Sequence, residues 1–170
     1  MKLKVLMAAL AVAYAGCGFC AVNLAGDWSV RGRGLQGRLR LPGTLADAGL
    51  GRHMTEADYA ASTDVPQQGA LMREYQYLGK AVYSREITIP EGERGRAAEV
   101  FLERVMWRSE VFLDGESLGI CESLATPHVH SVPARLMTGG RHRLEIAVDN
   151  SNLYAFSRWS HSYGPAMQSV

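Results

Sequence analysis

Cysteine is the first shortage. The chain has three, and Cys17 and Cys20 fall in an N-terminal leader, so Cys121 stands alone in the remainder. A disulfide framework is thereby excluded, and the fold has to rest on an apolar core. Long apolar runs are also missing. The stretch from Val5 to Ala13 is too short to cross a bilayer, and no transmembrane helix is expected in the mature chain. Neither sign of charge dominates. A net charge of +1 gives no electrostatic case for nucleic acid.

Familiar catalytic signatures are absent as well. There is no Gly-x-Ser-x-Gly, no phosphate loop and no dinucleotide fingerprint. Glycoside hydrolysis needs two carboxyl groups at a set separation. Glu103, Glu110, Glu116, Glu122 and Glu145 fall mostly on alternating, wet strand positions, and none forms an acid or nucleophile motif. No catalytic residue, cofactor or metal is expected.

What is present begins with a leader. Lys2 and Lys4 precede the Val5–Ala13 run, and Ala13-Tyr14-Ala15 fits a small-x-small cleavage pattern. Residues 1–21 read as a secretory signal and 22–170 as one domain, of a length sufficient for a core. Export to a bacterial periplasm or cell surface is the expected localisation. Cys17 after Ala15-Gly16 resembles a lipoprotein box, with Tyr14 where an aliphatic residue belongs. Lipidation at Cys17 is the alternative to simple cleavage.

The domain is organised around 97–120. Val100, Leu102 and Arg104 share one side of a strand, and Trp107, Ser109, Val111 and Leu113 share one side of the next. Asp114-Gly115 then predicts a type I′ hairpin turn leading into Glu116 to Ile120. Earlier, Trp28 and Val30 alternate with Asp27, Ser29 and Arg31, and Leu35, Leu39 and Leu41 alternate with Gln36, Arg38 and Arg40. Tyr83, Ile87 and Ile89 mark the apolar side of another strand, and Leu144, Ile146 and Val148 that of the last clear one.

Other stretches are less regular. The segment Thr44 to Lys80 lacks a sustained period and reads as an excursion between strands, with a helical turn expected in Gly69 to Gln76. Cys121 to Pro133 reads as a loop carrying His128 and His130 at its surface. His-x-His on a strand would place both rings on one face, as some metal sites do, but no third ligand has matching spacing. Arg85 falls on the apolar side of its strand. A buried guanidinium needs a partner, and an ion pair with Glu103 is the expectation, with Glu110 the other candidate. From Asn150 onward, Trp159, His161 and Tyr163 stand among hydroxyl residues, a composition that suits a sugar. A loop packed on the domain accounts for it equally well. Short alternating runs separated by Gly and Pro turns, with no convincing amphipathic helix, predict an all-β antiparallel sandwich.

Several motifs, taken in order, resemble the N-terminal sugar-binding domain of glycoside hydrolase family two, of the β-galactosidase and β-glucuronidase type. They are the run from Leu41 to Gly49, the run from Tyr77 to Pro90, Leu102-Glu103-Arg104-Val105, Val111-Phe112-Leu113-Asp114-Gly115, Thr126-Pro127-His128, Gly139-Gly140 and Val148-Asp149-Asn150. The resemblance implies a jelly-roll sandwich of the galactose-binding type. It also implies a carbohydrate partner, a β-galactoside or β-glucuronide, with Asn150, His161 and Tyr163 near the sugar; Trp159 joins them on composition. In that family the catalytic glutamates belong to a (β/α)₈ barrel of about 250 residues, which this chain does not contain. The resemblance therefore implies a chain inactive by itself, with a separate barrel as a further partner. The family continues from this region through Trp-Asn-Gly to a closing strand, whereas Gln168 is followed here by Ser169-Val170. A sandwich short of one strand is the expectation, with a stand-alone glycan-binding module or lipoprotein as the alternative.

Overall fold

The structure, a computed structural model, describes residues 21–61 and 74–151. It is all-β and antiparallel, the sandwich that the alternating runs predict and of the jelly-roll kind that the resemblance implies. Ten strands are β1 (Gly26–Gly32), β2 (Leu35–Leu41), β3 (Arg52–His53), β4 (Tyr75–Gln76), β5 (Lys80–Ile89), β6 (Ala98–Leu102), β7 (Arg108–Leu113), β8 (Glu116–Glu122), β9 (His128–Val132) and β10 (Gly140–Asp149). A short helix, α1, covers Glu56–Ala61. The main sheet has six strands in the order β2-β1-β5-β10-β7-β8; β6 pairs with β9, and β3 with β4.

Period-two alternation determines which side of each strand is buried. Trp28, Val30, Leu35, Leu39, Leu41, Val111, Leu113, Leu144 and Ile146 project from the main sheet into one cluster. Val100 and Leu102 of β6 and Val132 of β9 close that cluster from the other layer. Trp28 anchors it, with its Nε1 donating to the Leu24 carbonyl at 3.0 Å, so a large apolar surface is buried without an orphaned N–H. Tyr83 lies beside the cluster. Burial, reinforced by the Tyr77 phenol, pushes its hydroxyl pKa up to about 12.

The predicted hairpin turn forms at Asp114-Gly115, with φ of 51° and 87°. Asp114 also ties the turn to β10. Its N–H donates to the Arg143 carbonyl, its Oδ1 accepts from the Arg143 N–H at 2.7 Å, and its Oδ2 meets His142 Nδ1 at 2.6 Å. The turn residue chosen for its backbone thus also joins two strands.

Four expectations need correction. Cys121 to Pro133 is not a loop: β8 runs to Glu122, and β9 occupies His128–Val132. The β9 pattern is inverted relative to polarity, because His128, His130 and Val132 point inward while Val129 is 41% exposed. A reading that places apolar residues inside cannot find such a strand. Second, the segment after Thr44 holds regular structure. Thr55 caps α1: its Oγ1 accepts from the Asp58 N–H, and Asp58 Oδ2 accepts from the Thr55 N–H at 2.9 Å. This Thr-x-x-Asp capping box was legible in the sequence. Third, the helical turn expected within Gly69 to Gln76 is replaced at its end by strand β4, while Gly69 to Arg73 lies outside the described residues. Fourth, Arg85 does not pair with Glu103. Its Nη1 donates to the carbonyls of Leu24 at 3.1 Å and Ala25 at 2.8 Å. Backbone carbonyls leading into β1, which adjoins β5, meet the guanidinium before any carboxylate does.

Candidate functional site

The end of the sandwich where β10 finishes gathers several chemistry-bearing groups. In register, Asp149 of β10 lies between Lys80 of β5 and Arg108 of β7, and Arg108 faces Glu122 of β8. The connections 77–79, 103–107 and 123–127 adjoin this rim. Hydrogen bonds from Ser151 Oγ at 2.7 Å and the Ser151 N–H at 2.9 Å hold the Asp149 pKa below its ordinary value, with help from Arg108 and Lys80 and against the effect of burial. Asp149 therefore stays ionised and gives the rim a fixed negative charge.

Asn150 follows directly. Its Oδ1 accepts from the Gly79 N–H and its Nδ2 donates to the Tyr77 carbonyl, both at 2.8 Å. The amide pins the 77–79 connection to the end of β10. Of the residues expected at a sugar, Asn150 thus has a clear positioning role. Trp159, His161 and Tyr163 lie outside the described residues.

The β6–β7 connection carries a feature that sequence reasoning missed. Among the described residues, the buried side-chain polar atoms without a hydrogen-bond partner are Glu103 Oε2 and Trp107 Nε1. Both belong to this connection, and Trp107 has φ of 154°, a value that costs strain in a residue with a Cβ. The Trp107 carbonyl accepts from the Ser123 N–H at 3.0 Å, which holds the 103–107 and 123–127 connections together. Met106, 58% exposed, and Leu124, 48% exposed, are on these two connections, and Leu78 is exposed on the third. The rim thus combines exposed apolar side chains with one donor and one acceptor that are buried beneath it and unsatisfied among the described residues, a polar deficit that calls for an explanation.

Below the rim, the core contains a polar cluster. Ser109 Oγ lies 2.6 Å from His128 Nδ1 and 2.9 Å from His130 Nε2, and all three residues are buried. His128 Nε2 faces the Ser123 carbonyl at 3.1 Å. A carbonyl only accepts, so this nitrogen carries the proton and His128 Nδ1 accepts from Ser109. Ser109 Oγ is then left to accept from His130 Nε2–H. Burial holds the His130 pKa below its usual value, and neighbouring His128 adds to this, against the backbone at Leu118 and Gly119. The histidines are therefore internal structural groups, not the surface pair that the sequence suggested. Among the described residues, no group of three or more His, Cys, Asp or Glu side chains is placed to hold a metal. Among the described residues, also, no helix is long and apolar enough to cross a membrane.

Comparison with known proteins places the fold. No protein-family profile and no curated protein matches the sequence. Solved structures do match. A β-D-glucuronidase of Dictyoglomus thermophilum aligns at a TM-score of 0.52 and 19% identity, over 75% of this chain and 19% of that one. The β-glucuronidase of Ruminococcus gnavus aligns at a TM-score of 0.55 and 15% identity over the same share of this chain, for example in its complex with D-glucaro-d-lactam. The chain spans about a fifth of the length of these enzymes. At such identities the likeness establishes the fold: an all-β sandwich like a domain-sized portion of these β-glucuronidases.

Proposed function

We propose that this chain is the carbohydrate-binding sandwich of an exported β-glycosidase system of family two, binding a β-galactoside or β-glucuronide and performing no hydrolysis itself. The observation that carries the reading is the rim. The orphaned indole N–H of Trp107 and carboxylate oxygen of Glu103 stand on one short connection, at the same end of the sandwich as Asn150. A sugar supplies hydroxyl groups that both donate and accept, and its apolar ring face suits Trp107, Met106 and Leu124. The ordered sequence motifs and the likeness in fold to β-glucuronidases support the class of ligand. Trp159, His161 and Tyr163, which follow Asn150 in the chain, are the further residues proposed to contact it. Export rests on the leader, with anchoring through Cys17 as its variant.

A second reading has its own support. Exposed Leu78, Met106 and Leu124 give the rim apolar surface that a catalytic barrel from another polypeptide would cover. Under that reading the chain is a non-catalytic subunit.

Thermal melts of the chain from Val22 onward test both. A ligand bound only by the folded state raises the midpoint by mass action. The sugar-binding reading expects a rise with one of a panel of β-galactosides and β-glucuronides, reduced in Trp107→Phe and Glu103→Gln variants. A cooperative melt that no glycoside shifts would sink it in favour of docking. Hydrolysis of an aryl β-glycoside by the pure chain would overturn the non-catalytic assignment.

A further inference from the structure

We propose that a second, distinct face, the outer side of β2, β1, β5 and β10, binds a glycan bearing an anionic group. A basin of about 930 Å³ lies there, lined by Ser29, Arg31, Arg38, Ser84, Glu86 and Arg143 among others. That volume is in the range of small-molecule sites. The rim lies at the other end of β10, beyond Asp149, so the two sites share no residue.

The arginines of the basin are unequally matched. The Arg85 guanidinium is taken by the Leu24 and Ala25 carbonyls. Arg31 and Arg143 both direct Nη2 at one oxygen, Glu145 Oε1, at 3.0 and 3.2 Å. Arg38 has no ion-pair partner among the described residues and is exposed. The register pairs Arg31 with Gln36 and Ser29 with Arg38, which makes Arg31 and Arg38 diagonal neighbours on adjacent strands. Diagonal positions are about 7–8 Å apart, a gap that two long side chains can close on one anionic group.

The other groups specify what the anion is attached to. Ser29 and Ser84 are directly paired in the middle of the face. Asp27 and Glu86 lie in the row beyond them, on the side away from Arg31 and Gln36. Arg38 lies in the serine row with Arg31 diagonal to it, and the carboxylates of the next row are each register-paired with an arginine, Asp27 with Arg40 and Glu86 with Arg143. Guanidinium, hydroxyl and carboxylate groups side by side fit an acidic sugar. Its anionic group meets Arg31 and Arg38, and its hydroxyls donate to Asp27 and Glu86. Trp28 and Val30 border the basin but are 1% and 2% exposed, their side chains belonging to the core. With no aromatic or aliphatic anchor, the basin does not suit a protein partner, and with carboxylates and no stacking platform it does not suit a nucleic acid.

The experiment is calorimetric titration of the full chain at low ionic strength with trigalacturonate, a heparin hexasaccharide, neutral maltotriose and poly-L-glutamate. The two charged glycans distinguish carboxylate from sulfate as the anionic group. At least one is expected to bind, and an Arg31→Ala/Arg38→Ala variant is expected to weaken it about tenfold or more. Arg94→Ala/Arg135→Ala removes the same charge elsewhere and is expected to change affinity less than about twofold. Circular dichroism checks folding, with Arg38→Gln alone as the substitute should the double variant unfold. No binding of either charged glycan, equal binding of maltotriose, an equal loss in the control variant, or poly-L-glutamate binding as tightly would each overturn the proposal. The rim reading is tested separately, by glycoside-dependent melts and rim variants, so failure of one leaves the other standing.

Discussion

Ser109 Oγ donates to His128 Nδ1 across 2.6 Å, in a part of the core closed to solvent. The same oxygen is 2.9 Å from His130 Nε2, so one hydroxyl of β7 holds two rings of β9 and joins the two layers of the sandwich. Removing it leaves two buried nitrogens without partners. Such orphans cost about 1–3 kcal/mol each. Ser109→Ala is expected to lower stability to urea by an amount of that order. A midpoint unchanged from the parent would show that the cluster contributes no net stability.

The cluster also sets a pH dependence. The folded-state pKa of His130 is below the unfolded value of about 6.5, because burial disfavours its charged form. Above that unfolded pKa neither state binds the proton, and the contribution to stability is complete. As the pH falls through 6.5, the unfolded chain takes up a proton that the folded core resists, so stability declines toward the folded pKa. Melting midpoints measured from pH 7.5 to 5.5 are expected to fall, and less steeply in His130→Gln. Asp114 and Asp149 act in a lower window. Burial raises the Asp114 pKa, but its bonds to His142 and the Arg143 N–H outweigh that and leave it depressed. Both carboxylates contribute stability above their unfolded pKa of about 3.9, which is lost as the pH falls through their depressed folded values.

Arg85 offers a test that separates its two possible partners. Arg85→Met removes the donor to the Leu24 and Ala25 carbonyls and is expected to cost about 1–3 kcal/mol. Amide exchange should quicken at the start of β1. A double-mutant cycle of Arg85→Met with Glu103→Gln should give a coupling energy near zero. Coupling well above about 0.5 kcal/mol would restore the ion pair.

Leu102 is 1% exposed and packs from β6 against the main sheet. Leu102→Ala is expected to destabilise the chain by about 2–5 kcal/mol in urea unfolding. A loss under about 1 kcal/mol would mean that the two layers are not packed as described.

Gly115 has φ of 87°, so Gly115→Val forces a β-branched residue into a left-handed conformation. Stability should fall by roughly 1–3 kcal/mol, through strain and not lost contacts. Gly115→Asn, which tolerates that conformation better, should recover much of the loss.

The sequence by itself determined the strands whose polarity alternates in the ordinary sense. Trp28, Leu39, Ile89, Val111 and Leu144 announced which side of each strand is buried, and Asp114-Gly115 announced its own turn, because a two-residue period and a left-handed φ are local requirements. Tertiary structure decided the rest. Inward His128 and His130 are tolerable only because Ser109, distant in sequence, meets both rings, so β9 read as a loop. Arg85 revealed that it needed a partner but not which one, since the Leu24 and Ala25 carbonyls come within reach only after β1 pairs with β5. The orphaned Glu103 and Trp107 atoms, and the basin between Arg38 and Arg143, likewise exist only once strands far apart in the chain lie side by side. Local propensity fixes what a residue can do; which groups it meets depends on long-range pairing, and no short window of sequence contains that.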